Sequence, residues 1–429
     1  MKRLAVKMST LPVVMKLIRN RRSNKADMAS VVSKIIKRVR KEKDSALFDL
    51  TEKFDGPRLR TLRVSKREIA AAYAEETQEV ISALRTAKNS IEKFHKTTVR
   101  KKEPAVVVRK GVKVWREFRP IRSVGLYIPG GKAAYPSTVL MLAIPAQIAG
   151  CREIVLCVPP GKDGKIPGAV LVAADMCGIS NIFKVGGAQA IAAMAYGTGT
   201  IPKVSKIFGP GNQYVTTAKL QVYGEVDIDM PAGPSEVLVF ADETANPSWV
   251  AADLLSQLEH GEDSQAILVT LSKTLGERVL KEINTQREVL PRKTIISESL
   301  KKSFAIVADS FDTAIALIND YAPEHLEIIL KDEKKALEAI TDAGSVFLGP
   351  YTSEPLGDYA TGANHTLPTS GYAKMFSALS VESFGKKMQV QRVSREGIKG
   401  MRNTVETLAK REGLSAHKNA VSIRFKKNI

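Results

Sequence analysis

The chain has 429 residues, enough for two or three domains each with its own core, and its 44% hydrophobic and 26% charged content is that of a soluble globular protein. No run of about 18 apolar residues occurs, and the stretch 11–15 behind Lys2, Arg3 and Lys7 is too short for a secretory leader, so no membrane partner and a cytoplasmic location are expected. The formal charge of +20 would suit nucleic acid or anionic substrates, but the basic residues cluster at 34–43 and 395–427, at helical spacing and without interleaved aromatics, so solvated helix faces and no nucleic-acid partner are expected.

Met28, Val31, Val32, Ile35, Ile36 and Val39, then Leu47, Leu50 and Phe54, recur at helical spacing, which predicts a helix over 26–54 stopped at Asp55-Gly56. A second helix is predicted over 65–95, with Val80, Leu84, Ala87, Ile91 and Phe94 on one face; His95 closes it and is expected to be structural. Residues 106–108 and 112–115 flank Lys110-Gly111 as a hairpin.

From 124 to 236, short apolar strands (124–128, 153–158, 182–185, 206–208) alternate with helices (137–149, 168–176, 188–196, 212–223). A second block follows, with strands at 237–240, 266–270, 304–307, 326–330 and 345–348 and helices at 248–260, 275–288 and 313–321. Alternation at this interval means parallel βαβ units. The expected fold is α/β: two Rossmann-like doubly wound domains, with small helical N- and C-terminal segments. The last fifty or so residues lack strand alternation and read as a helical appendage.

Gly-rich turns stand between strand and helix at Gly130-Gly131, Gly186-Gly187 and Gly209-Pro210-Gly211, where backbone amides can approach a phosphate at a helix N-terminus. None is a GxGxxG fingerprint, and each alone could be a tight structural turn. Cys151, Cys157 and Cys177 form no CxxC pair; a thiol nucleophile is conceivable, but small buried hydrophobes are the expectation.

Four of the five histidines sit in polar motifs: Gln257-Leu258-Glu259-His260, Pro323-Glu324-His325, Asn364-His365 and Glu412-Gly413-Leu414-Ser415-Ala416-His417. Gln257 and His260, three apart on a helix, project from one face. Glu324-His325 lies between a helix and a strand, where a carboxylate can activate water and an imidazole can take an alcohol proton. Asp358 precedes a Gly/Thr/Asn-rich loop that ends at His365. Taken singly, these residues also read as caps, turn residues or surface histidines; together they justify a zinc site of two His, an Asp and an amide oxygen.

The order of motifs carries more than any one of them. Val124-Gly-Leu-Tyr-Ile-Pro-Gly-Gly131, Val185-Gly-Gly-Ala-Gln-Ala190, Phe208-Gly-Pro-Gly-Asn212 and Asp229-Met-Pro-Ala-Gly-Pro-Ser-Glu236 are followed by Asp253-Leu-Leu-Ser-Gln-Leu-Glu-His-Gly261, Tyr321-Ala-Pro-Glu-His-Leu-Glu327, Gly362-Ala-Asn-His-Thr-Leu-Pro-Thr369 and Ala416-His-Lys-Asn-Ala420. From about residue 45 to its end the chain closely resembles the histidinol dehydrogenase family.

The resemblance implies oxidation of L-histidinol through the aldehyde to L-histidine with two NAD molecules in succession, the last step of histidine biosynthesis. It implies one Zn2+ per subunit, held by Gln257, His260, Asp358 and His417. The last would come from a neighbouring subunit, so a homodimer is implied. Glu324 matches the residue that activates water and His325 the general base. Ser235 and Glu412 match substrate contacts, which Gln257, His260, His325, Asp358 and His417 join. Tyr127, Gln189 and Asn212 match contacts to NAD. The implied division is an N-terminal segment (1–25), a substrate and zinc domain in two parts (26–123 and 237–378), an NAD-binding domain (124–236) and a C-terminal arm reaching the partner's site (379–429).

Leu258, Ala363 and Arg411 depart from residues common in the family, but none removes a ligand type. Two alternatives stay open on the residues alone: a relative on the same scaffold that oxidises another polar alcohol, and a basic binding protein without catalysis.

Overall fold

Val155 to Val158, Leu238 to Phe240 and Ile267 to Val269 are buried throughout. Strands apolar on both faces belong inside parallel sheets covered by helices on both sides. The computed structural model, which describes all of the chain except residues 21–24, 99–101, 131–133, 232 and 427–429, holds two such sheets. Its strands are β1 (Lys2–Val6), β2 (Val106–Arg109), β3 (Val112–Pro120), β4 (Ser123–Tyr127), β5 (Glu153–Val158), β6 (Asn181–Lys184) and β7 (Lys206–Phe208). They continue with β8 (Asp227–Ile228), β9 (Glu236–Ala241), β10 (Gln265–Thr270), β11 (Phe304–Ala308), β12 (His325–Ile329), β13 (Ser345–Leu348) and β14 (Gly385–Val393).

Two compact units result, one of residues 1–98 and 121–384 and one of residues 99–120 and 385–429. The first holds a six-stranded parallel sheet, in order β1-β11-β10-β9-β12-β13, and a five-stranded parallel sheet, in order β6-β5-β4-β7-β8. The period of two along a strand sends alternate residues to opposite cores. Val237 and Val239 pack with Leu254 and Val279 on one face of the larger sheet, while Leu238 and Phe240 pack with Ile18 and Leu317 on the other. A fully buried side chain of this kind contributes about 1.5–3 kcal/mol. The expected α/β fold with two parallel sheets is the fold observed, and no helix among the described residues is long and apolar enough to cross a membrane.

Local details differ from the sequence reading. The helix expected over 26–54 is two helices, Lys25–Glu42 and Asp44–Asp55, divided at Lys43, whose φ is +55° and whose ammonium donates to the Gly197 carbonyl at 2.9 Å. The one expected over 65–95 is also two, Lys66–Glu75 and Gln78–Lys96, each with its own N-cap, Ser65 in a capping box with Glu68 and then Thr77. Val32, Val39, Leu47 and Leu50 share a core with Val155, Ile191 and Met194, so these N-terminal helices cover the five-stranded sheet. Residues 2–6, expected in a helical segment, form an edge strand of the six-stranded sheet.

The second unit corrects the helical reading of the C-terminus. β14 is a nine-residue strand paired antiparallel with β3 of the hairpin, ahead of the helices Arg395–Arg411 and Ser415–Ser422. Most of β14 is exposed, so burial imposes little apolar alternation on Lys386-Lys387-Met388-Gln389. Lys427, in the basic run noted above, lies outside the described residues.

Candidate active site

Glu236 opens β9 and His325 opens β12, so both stand at the N-terminal edge of the six-stranded sheet, where His325 is in register with Val237. The helix Pro247–Leu258 runs back antiparallel to β9 and delivers Gln257, then His260, to the same edge. Asp358 comes from the short helix Glu354–Tyr359 after β13. Only seven residues, 229–235, separate β8 from β9, so the C-terminal edge of the smaller sheet leads straight to this N-terminal edge, with Ser235 at the junction.

His260, Glu354 and Asp358 each offer an atom that could bind a metal, all within 4.8 Å of one another. Gln257 is 1% exposed, and its Oε1 has no hydrogen-bond partner among the described residues. A bare buried amide oxygen costs about 1–3 kcal/mol, a cost that a cation beside it removes. An amide oxygen, an imidazole and a carboxylate make a donor set that zinc accepts, so the residues present fit the group. Burial lowers the His260 pKa against the pull of Asp358, which keeps a ring nitrogen free of a proton and able to ligate. Burial, then the Asp358 charge, pushes Glu354 up to about 9. Glu354 stands with His260 and Asp358 as a further carboxyl that could reach a cation there. Sequence reasoning missed it, although its spacing of four from Asp358 puts both carboxyls on one helix face.

Beside this cluster, His325 Nδ1 lies 2.9 Å from the Glu236 carbonyl oxygen. A carbonyl only accepts, so Nδ1 carries the hydrogen and the lone pair falls on Nε2, which has no hydrogen-bond partner among the described residues. Burial lowers the His325 pKa and keeps the ring neutral. Glu324 Oε2 accepts from the Glu236 amide at 2.7 Å and stands 3.7 Å from His325 Nδ1. Burial, then the Glu236 carboxyl, raises Glu324 well above the usual carboxylate range. His365, set apart by its motif but given no role, is held by Thr138 Oγ1 at Nε2 and by the Asp358 carbonyl at Nδ1, both at 3.2 Å. Asn364 donates to the Met141 carbonyl at 2.7 Å. This loop thereby ties Asp358 to the helix Pro136–Ala149 of the smaller sheet's layer.

The glycine turns follow β4, β6 and β7 at the C-terminal edge of the five-stranded sheet, although Gly131 lies outside the described residues. Each expected NAD contact belongs to one of these strands or turns. Tyr127 ends β4 and its hydroxyl accepts from the Gly187 amide at 3.1 Å; Gln189 is buried in the helix Gly187–Tyr196; Asn212 caps the helix Gln213–Val222 by accepting from Tyr214 and Val215. Gly209 has φ +118°, and a Cβ there would lie 2.1 Å from the Tyr127 carbonyl oxygen. Asp229 accepts from the Gly209 amide at 2.7 Å and pairs with Lys219, whose ammonium donates to the Gly209 carbonyl at 3.0 Å. That ion pair is almost wholly buried, and it holds both the N–H and the C=O of Gly209.

Glu412 and His417 belong to the second unit, both exposed, one at the C-terminus of Arg395–Arg411 and one in Ser415–Ser422. Burial disfavours the thiolate at all three cysteines, pushing Cys151 and Cys177 up to about 12 and raising Cys157 as well.

The sequence pattern that defines histidinol dehydrogenases matches residues 18–425. The histidinol dehydrogenase of Vibrio cholerae is 49% identical over 406 residues, covering 94% of this chain and 93% of that protein. That of Bacteroides thetaiotaomicron is 51% identical over 405 residues, covering 94% of each. The crystal structure of histidinol dehydrogenase from Elizabethkingia anophelis superposes with a TM-score of 0.95 at 48% identity, over 99% of this chain and 98% of that one. With the family pattern, two relatives near half identity and a solved structure all spanning nearly the whole chain, this protein belongs to the histidinol dehydrogenase family.

Proposed function

We propose that this chain oxidises L-histidinol through the aldehyde to L-histidine, with NAD as hydride acceptor in both steps and one zinc ion per subunit. The observation that carries this reading is the bare, unprotonated Nε2 of a neutral His325 next to Glu324, beside a buried amide oxygen, a half-buried imidazole and a half-buried carboxylate. A zinc ion bound by Gln257, His260 and Asp358, completed by His417 from a second copy of the chain, would fix the substrate's imidazole and amine and favour the ionised form of Glu324.

His325 Nε2 takes the hydroxyl proton as hydride leaves the alcohol carbon. Glu324, as carboxylate, removes a proton from the water that adds to the aldehyde. His325 then serves again as the hydrate loses its second hydride. Ser235 at the sheet junction and Glu412 from a second copy hold the substrate's polar ends, and the turns bearing Tyr127, Gln189 and Asn212 receive NAD. Sharing of His417 and Glu412 makes the active form a homodimer.

The test is NADH formation from L-histidinol by the purified protein, before and after chelation and after zinc is restored. Two NADH per histidinol, lost on chelation and regained with zinc, is the expected result. A zinc-loaded protein that forms no NADH from histidinol overturns the reading and points to another polar alcohol on the same scaffold.

A further inference from the structure

We propose that Asp253 and Glu327 are positioning residues for the reaction: by accepting hydrogen bonds from Ser353 and Glu354, they tie together the three elements that carry its chemistry. The proposal rests on the zinc site assigned above. Neither residue is a ligand or a proton carrier in that reading, and both are buried, at 9% and 1% exposure.

Asp253 lies one helical turn before Gln257 on Pro247–Leu258, and Glu327 lies two residues beyond His325, on the same face of β12. Burial raises both, and Glu327 more, because the Asp253 charge adds to it.

Both carboxyls hold the third element. Glu327 Oε1 accepts from the Glu354 amide at 2.8 Å, and Asp253 Oδ1 accepts from the Ser353 hydroxyl at 2.8 Å. Ser353 is the N-cap of Glu354–Tyr359, yet its own side chain makes no capping bond. The cap comes from β12 instead. Glu354–Tyr359 has six residues, too few to hold a helix without tertiary support. Its place, and so the place of Asp358 relative to Gln257 and His260, depends on what grips its first turn. A second tie runs from Ser256 Oγ to Glu354 Oε2 at 3.3 Å. An apolar pair would fill the same volume at lower cost, but it could not offer acceptors to Ser353 and Glu354 together.

The experiment uses the full chain and measures zinc affinity by competition with a chromophoric chelator, together with kcat and the KM for NAD. In Glu327→Gln the amide oxygen still accepts from the Glu354 amide, so wild-type zinc affinity and kcat are expected. In Glu327→Ala zinc affinity is expected to fall roughly 10- to 100-fold and kcat to fall with it. The KM for NAD should not move, because the glycine turns belong to the other sheet. Ser353→Ala should shift zinc affinity the same way by less, and it decides the matter with Glu327→Gln if Glu327→Ala does not fold. Loss in Glu327→Gln equal to that in Glu327→Ala, wild-type zinc affinity in both Glu327→Ala and Ser353→Ala, or a rise in the KM for NAD parallel to the loss of kcat each overturns the proposal. Zinc binding that is undisturbed by Gln257→Ala refutes the metal site itself and removes the proposal with it.

Discussion

His325 and Glu236 are joined side chain to backbone across neighbouring parallel strands, with Nδ1–H donating to the Glu236 carbonyl at 2.9 Å. The same residue's backbone amide donates to Glu324 at 2.7 Å, so one residue of β9 orients both His325 and Glu324. Replacing the imidazole by an amide should remove the base and leave the metal ligands alone. His325→Gln is expected to lower kcat by roughly 10²- to 10⁴-fold with zinc content unchanged. Loss of zinc in step with activity would show instead that His325 holds the metal.

In the proposed reaction Glu324 acts only once water must be added. Glu324→Gln should therefore leave the first oxidation largely intact and slow turnover of the aldehyde by about 10²-fold or more. Stopped-flow NADH formation from histidinol, compared with steady turnover of added histidinaldehyde, separates the steps. Equal loss in both would contradict the assignment.

His417 is exposed on the second unit, and in the proposed function it completes the ligand set from another copy of the chain. His417→Asn should lower zinc content, and unchanged metal removes it from the set. Mixing His417→Asn chains with Asp358→Asn chains under conditions of subunit exchange should recover activity that neither has alone. No recovery on mixing argues against shared sites.

His95 lies apart from the site, buried at 1% exposure with neither ring nitrogen bonded among the described residues, and burial lowers it to about 4. Its folded pKa is below that of the unfolded chain, so the unfolded chain binds the proton first. The stability it contributes is full above about pH 6.5 and is lost as pH falls towards 4, by about 3 kcal/mol in all. Thermal melts of His95→Leu should show a shallower loss of stability between pH 7 and pH 5 than the native chain. Parallel curves would contradict the assignment.

The buried Lys219–Asp229 pair braces the Gly209 turn on both sides. Lys219→Met strands the Asp229 charge, at a cost of about 3–5 kcal/mol. Besides lowering Tm, it should raise the KM for NAD while zinc affinity stays as it was. An unchanged KM in a folded variant would detach this turn from nucleotide binding.

Much of this was legible in the chain because the signals are local. Strand–helix alternation needs only a few residues in view, and Gln257, His260, Glu324 and His325 stand in short motifs. Breaks such as Lys43 were hidden, since nothing in Lys41-Glu42-Lys43-Asp44 marks a positive φ without the Gly197 carbonyl that receives the lysine. β1 and β14 were hidden for another reason: edge and exposed strands need no apolar alternation, and their pairing partners lie hundreds of residues away.

The sequence by itself determined the α/β class, the glycine turns and the residue types able to bind a metal and move protons, because periodicity and side-chain chemistry are properties of short segments. Only the tertiary structure decided that Gln257, His260, His325 and Asp358 meet at one sheet edge, that Glu354, its carboxyl raised by burial, stands among them, and that Asp253 and Glu327 accept from Ser353 and Glu354. Burial and the proximity of other charges set those protonation states and bare acceptors, and neither exists until the chain is packed.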